Sequence, residues 1–166
     1  MNRPGHTQPP SRSPYITRAG YAALQAEQQA IWTRRREVVK ALAAAAAEGD
    51  RSENAEYIYR KKELREIDRR IRYLQQRMPG LKVVSVPPDN LSQVFFAAWV
   101  TLEDGSGEAR RYRIVGPDEH HLNAAYISVD SPLARALMAR RVDDTVEVLT
   151  PGGRVVYRVM AVAYEQ

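Results

Sequence analysis

From Thr17 onward, apolar side chains return at intervals of three, four or seven residues: Tyr21, Leu24, Ile31, Val38, Leu42 and Ala45. That spacing is the stripe of a long amphipathic helix with Thr17 as its N-cap. It predicts a helix to about Glu48, where Gly49 suits a left-handed C-terminal position. A second stripe follows in Tyr57, Leu64, Ile67, Ile71, Leu74 and Met78, a three-four repeat in which Arg60 takes the polar seam position. Asp50 or Ser52 can cap this second helix, and Pro79-Gly80 ends it. Two long helices on a short loop predict an antiparallel coiled-coil hairpin. With about 30 residues at roughly 1.5 Å rise each, it is about 45 Å long, more than a small core covers, and is expected to project.

The second half alternates instead. Phe96, Ala98, Val100 and Leu102 face one way, Asp104-Gly105-Ser106-Gly107 turns the chain, and Tyr112 and Ile114 alternate with Arg111 and Arg113. These are antiparallel strands. Ser131-Pro132 opens a short helix to about Arg141. Strands over 145–150 and 154–164 follow, joined at Pro151-Gly152-Gly153, with Val155, Tyr157, Val159 and Ala161 on one face. The fold class is therefore α+β: a disordered proline-containing tail over 1–14, the hairpin over 15–80, and a sheet domain with one helix over 81–166.

Composition narrows the chemistry. The chain of 166 residues has no cysteine, so it has no disulfide framework and no thiolate zinc site. His6, His120 and His121 are too few and too scattered for a metal cage, so any divalent metal must be shared with a partner. No apolar run reaches membrane-spanning length and no signal segment is apparent, which predicts a cytoplasmic protein without a membrane partner. The net charge of +5 sits in the middle: residues 17–78 carry 14 basic and 9 acidic side chains, residues 79–166 carry 9 and 11.

The turn of the hairpin reads GDRSENAEY over 49–57. Asp50 and Glu53 have the spacing of a capping box. Two carboxylates on an exposed tip can equally share Mg2+, a hard cation that takes oxygen ligands and tolerates an incomplete protein cage when another molecule completes it. The two roles are compatible until a metal arrives.

At the tip the sequence resembles the Gre transcript-cleavage factors of bacteria, in particular the GreB type. Three further stretches carry the resemblance: KELREIDRRIRYL over 62–74, VFFAAWV over 94–100 and YISVDSPLARAL over 126–137. The four motifs stand in the family's order, and the resemblance extends from about Tyr15 to Glu165. The tail before Pro14 has no counterpart, and residues 117–125 fit only loosely.

The resemblance implies an N-terminal coiled-coil domain and a C-terminal domain of FKBP-like fold. The coiled coil would enter the secondary channel of RNA polymerase and stimulate the polymerase to cleave backtracked nascent RNA near its 3′ end. The factor would not be an enzyme by itself. Asp50 and Glu53 take the catalytic positions, with Asp50 holding Mg2+ shared with the polymerase active site and Glu53 helping hold it or orient water. Ser52 and Asn54 are hydrogen-bonding candidates toward RNA or polymerase loops, or ordinary turn residues. Arg60, Lys61 and Lys62, nearest the tip, are candidates for facing RNA. Arg69, Arg70 and Arg72 have a plainer account in pairing with Glu63, Glu66 and Asp68 at helical spacing. Asp130, Ser131 and Pro132 match the polymerase-binding segment and also read as a helix cap. The alanines over 43–47 suit a thin finger as well as a stable helix. A finger built for a channel suggests a monomer. The competing functions are a channel-binding regulator without cleavage activity, a peptidyl-prolyl isomerase, and a coiled-coil adaptor that never meets polymerase.

Overall fold

The computed structural model describes residues 12–49 and 53–164. The chain divides into two compact units: Tyr21–Leu81, and the residues up to Gly20 together with those from Lys82 onward.

The first unit is the hairpin, made of α1 (Arg18–Ala46) and α2 (Ala55–Arg77), with a 3-10 turn at Met78–Gly80. Leu24, Val38 and Ala45 are buried on α1 at multiples of seven residues, and Ile31 packs beside them. Ile67, Ile71 and Leu74 face them from α2, with Met78 buried just beyond. Ion pairs fix the antiparallel register. Arg70 donates to Glu27 at 2.6 and 2.9 Å, Arg34 pairs with Glu63 at 2.7 Å, and Arg35 with Asp68 at 2.7 Å. Arg70, Glu63 and Asp68, expected to pair along α2, thus reach partners across the hairpin, while Glu63 also keeps a pair along α2 with Arg60 at 2.9 Å. These pairs are still reached by solvent and contribute on the order of 1 kcal/mol each, so the apolar seam stabilises the hairpin and the charges select its register.

The second unit holds a five-stranded sheet in the order β5-β4-β3-β7-β6, built from β3 (Trp99–Glu103), β4 (Ala109–Val115), β5 (Tyr126–Ser128), β6 (Thr145–Thr150) and β7 (Gly153–Ala163). Helix α3 (Pro132–Leu137) packs on it through Ala134 and Leu137, against Val100, Leu102, Ile114, Val146, Val148 and Val159. A separate parallel pair joins β1 (Tyr15–Thr17) to β2 (Lys82–Val84).

Five expectations change. The strand expected from Phe96 begins at Trp99, because Ala97 has a positive φ of 72° and breaks the pleat. Ala161 is exposed rather than on the face of Val159: Thr101 pairs with Ala161 and Leu102 with Val159, so Met160 is an extra residue and the side-chain parity flips. Helix α3 stops at Leu137 instead of Arg141, and Ala139 takes a φ of 65° as its N–H bonds Val94 O at 2.8 Å. Lastly, residues 12–14 are placed, not loose. Ser13 bonds Asp130, Arg12 lies 3.8 Å from Asp118, and Pro14 O accepts from Lys82 N at 2.8 Å. Residues 15–20 likewise belong with the sheet unit rather than the hairpin.

Candidate functional site

The tip is set by how α2 starts. Asn54, not Asp50 or Ser52, is the N-cap: its side-chain oxygen accepts from Tyr57 N at 3.1 Å. Its amide nitrogen donates to Ala45 O at 2.8 Å, which joins the start of α2 to the end of α1. Of the alanines over 43–47, Ala45 is the buried one, so the small side chain matters at one seam position. Both polar atoms of Asn54 are therefore engaged in the hairpin itself.

This overturns the capping box. A box glutamate sits three residues after the cap, a position held here by Tyr57, whereas Glu53 precedes the cap. Glu53 lies exposed in the turn, and no hydrogen bond or ion pair engages its carboxylate among the described residues. Asp50, Arg51 and Ser52 lie outside the described residues.

The three basic residues nearest the tip differ in state. Arg60 is held by Glu56 at 2.7 Å and Glu63 at 2.9 Å, with its guanidinium 5.3 Å from the Tyr59 ring centroid. Bonds to Glu56 and then Glu63 raise its pKa. Desolvation works to raise the Glu63 carboxyl, but the hydrogen bonds from Arg34 and Arg60 outweigh it and hold the group below the ordinary carboxylate range. Arg60 is thus part of the hairpin's own charge network. Lys61 lies 5.8 Å from the Tyr57 ring centroid and is exposed, as is Lys62. Lys62 begins a row at helical spacing, Lys62, Arg65, Arg69 and Arg72, every member of which is exposed on the side of α2 away from the seam. The cross-hairpin pairs engage Glu63 and Asp68, and Glu66 is the one exposed acid beside this row of four cations, which stays positive on balance.

In the sheet unit, Ser131 Oγ accepts from Ala134 N at 3.2 Å and caps α3, with Pro132 at its first position. Asp130 is half-buried. Its N–H donates to Ser128 Oγ at 3.1 Å, and its carboxylate accepts from Ser13 N at 2.9 Å and from Ser13 Oγ at 2.5 Å.

Glu119 is a residue that sequence reasoning missed. It is 1% exposed and accepts from Thr17 N at 2.7 Å and from the Thr17 hydroxyl. Thr17 Oγ1 in turn accepts from Gly20 N at 3.0 Å, so the expected N-cap is present and is itself held by a buried carboxylate. A side chain at Gly20 would meet Glu119 at 2.7 Å, and one at Gly116 would meet Tyr15 O at 2.0 Å. No signal in the acidic, histidine-containing stretch around Glu119 marked it as interior.

With this geometry in place, the comparisons with known proteins are specific. A family described as "Transcription elongation factor, GreA/GreB, C-term" matches residues 88–164, and one described as "Transcription elongation factor, N-terminal" matches residues 14–83. The chain is 58% identical over 151 residues to a transcription elongation factor GreB of Xanthomonas axonopodis pv. citri, covering 90% of each protein. It is 54% identical over 153 residues to that of Pseudomonas aeruginosa, covering 92% of this chain and 91% of the relative. Among solved structures, GreA factor homolog 1 (Gfh1) of Thermus thermophilus is 28% identical, over 91% of this chain and 99% of that one, with a TM-score of 0.40.

Proposed function

Because the chain belongs to the GreA/GreB transcription elongation factor family, we propose that it inserts its hairpin into the secondary channel of RNA polymerase and stimulates cleavage of backtracked nascent RNA. The observation that carries this reading is the cap on α2. Asn54 satisfies the helix start, so the exposed carboxylate of Glu53 is left without a structural task among the described residues.

Glu53 with Asp50 suits Mg2+, because carboxylate oxygens are the ligands a hard cation takes. The remaining ligands of the ion are assigned to the polymerase site, since a hard cation tolerates an incomplete protein cage when another molecule completes it. The chemistry Mg2+ supplies when bound there is activation of a water for in-line attack on a phosphodiester. Asp50 is assigned to holding the ion and Glu53 to holding it or orienting the water. Ser52 keeps its assignment toward RNA or a polymerase loop, whereas Asn54 is assigned to the hairpin.

Lys61, Lys62 and the row continuing through Arg65, Arg69 and Arg72 are assigned to the extruded RNA, whose phosphates favour an unpaired cationic face. Arg60 supports that face from within its ion network. Asp130, Ser131 and Pro132 are assigned to docking on polymerase. The protein acts in the cytoplasm, as a monomer, and no helix among the described residues is long and apolar enough to cross a membrane. The prolyl-isomerase alternative loses ground because the sheet unit's aromatic rings pack on one another. Phe96 lies 5.9 Å from Tyr15 and Trp99 lies 6.0 Å from Tyr126, centroid to centroid.

The test is to add the protein to a stalled, backtracked elongation complex. Shortening of the RNA with release of a 3′ fragment is expected, and naked RNA should stay intact. Channel occupancy without cleavage would establish the regulator instead.

A further inference from the structure

The residues before β1 carry no apolar periodicity, yet three consecutive positions are pinned to the sheet unit. Arg12 Nη1 lies 3.8 Å from the buried Asp118 carboxylate, Pro14 O accepts from Lys82 N, and between them Ser13 meets Asp130, 117 positions away in sequence. The Ser13 contact is two-pronged. Its N–H donates to one oxygen of the carboxylate at 2.9 Å and its hydroxyl to the other at 2.5 Å.

The opposite end of Asp130 is fixed as well. Its backbone N–H bonds Ser128 Oγ at 3.1 Å, the next N–H, of Ser131, bonds Ser128 O at 2.9 Å, and Ser131 then caps α3. The turn therefore positions the Asp130 backbone, and Ser13 positions its side chain. Ordering the rotamer of a half-exposed carboxylate at the moment of binding costs conformational entropy. Charge-assisted bonds to both oxygens remove that freedom beforehand.

We propose that Ser13 is a positioning residue for Asp130, setting the plane of the carboxylate and so the direction from which a cationic or N–H donor on polymerase reaches it. This rests on the docking reading of Asp130. It makes part of the segment expected as a loose tail a component of the docking surface. Ser13 has no role in the cleavage step, which is assigned to the hairpin tip.

The experiment is a double-mutant cycle on the full chain, with Ser13→Ala, Asp130→Ala and the pair, plus Ser13→Thr, which keeps the hydroxyl. Affinity for core polymerase is measured by competition, alongside the cleavage rate of a backtracked complex at saturating factor. Ser13→Ala should weaken binding about fivefold, the scale of one hydrogen bond, and leave the saturated cleavage rate unchanged. Ser13→Thr should bind like the parent. In the Asp130→Ala background, Ser13→Ala should have no further effect. If Asp130→Ala weakens binding but Ser13→Ala does not, or the two effects simply add, the positioning role is overturned and the docking reading stands. If Asp130→Ala leaves affinity unchanged, the docking reading itself fails. A lower saturated rate with Ser13→Ala would overturn the proposal by showing a general structural defect.

Discussion

The side-chain amide of Asn54 donates to the carbonyl oxygen of Ala45 at 2.8 Å while its own oxygen caps Tyr57 N at 3.1 Å. One side chain thus closes both helices of the hairpin just before the tip. Asn54→Asp keeps the cap acceptor and loses the donor, whereas Asn54→Ala loses both. The alanine variant should cost about 1 to 2 kcal/mol of hairpin stability and the aspartate variant less. Thermal melting, with hydrogen exchange over residues 43–60, measures this. Equal stability of Asn54→Ala and the parent would remove Asn54 from its assigned role.

The Glu63 carboxyl gives the hairpin an acid sensitivity with a defined sign. Desolvation opposes its ionisation, but the bonds from Arg34 and Arg60 prevail and its folded pKa lies below the unfolded one. Its contribution is therefore present above the unfolded value of about 4.3 and is lost as pH falls through the lower folded value. Melting of the parent should drop on acidification below about pH 4, and Glu63→Gln should flatten part of that drop. Identical acid profiles for the two proteins would contradict the assignment.

Gly116 sits where a side chain would meet the backbone oxygen of Tyr15 at 2.0 Å, a neighbour that cannot swing aside. Gly116→Ala should destabilise the sheet unit by about 3 kcal/mol, the upper part of the overpacking range. At Gly20 the neighbour is the Glu119 carboxylate, a side chain that is itself anchored to Thr17. Gly20→Ala should therefore weaken the start of α1 rather than the sheet. Denaturant unfolding of both variants, followed by tryptophan fluorescence and helical circular dichroism, separates the two effects.

The hairpin was legible because its signal is periodic. Leu24, Val38 and Ala45 on one helix and Ile67, Ile71 and Leu74 on the other recur at spacings that a seam requires, and all are buried. The cap was not, since Asp50, Ser52 and Asn54 are all competent caps within five positions. A contact with Ala45, nine residues back, decides among them. Part of the charge pairing was hidden for a similar reason: spacing along α2 reveals neighbours at three and four residues, such as Arg60 and Glu63, while Glu63 and Asp68 also reach arginines about 30 positions away. The bulge at Met160 and the positive φ at Ala97 leave the alternating pattern intact in sequence while shifting the strand it describes. Glu119 reads as a surface acid until Thr17 and Gly20 are brought against it. For the site, Glu53 could be followed into the structure, whereas Asp50 lies outside the described residues.

The central claim is that the tip carboxylates serve chemistry at the polymerase site and not the fold of the hairpin. Asp50→Asn and Glu53→Gln keep size and hydrogen-bonding capacity and remove only the charge that a hard cation requires. The decisive measurement is the cleavage rate of a backtracked elongation complex at saturating concentration of each variant, with melting temperature and polymerase affinity measured on the same preparations. Each variant should melt and bind like the parent, compete with it for the channel, and cleave slower by orders of magnitude. Variants that bind normally and cleave at close to the parent rate would contradict the account.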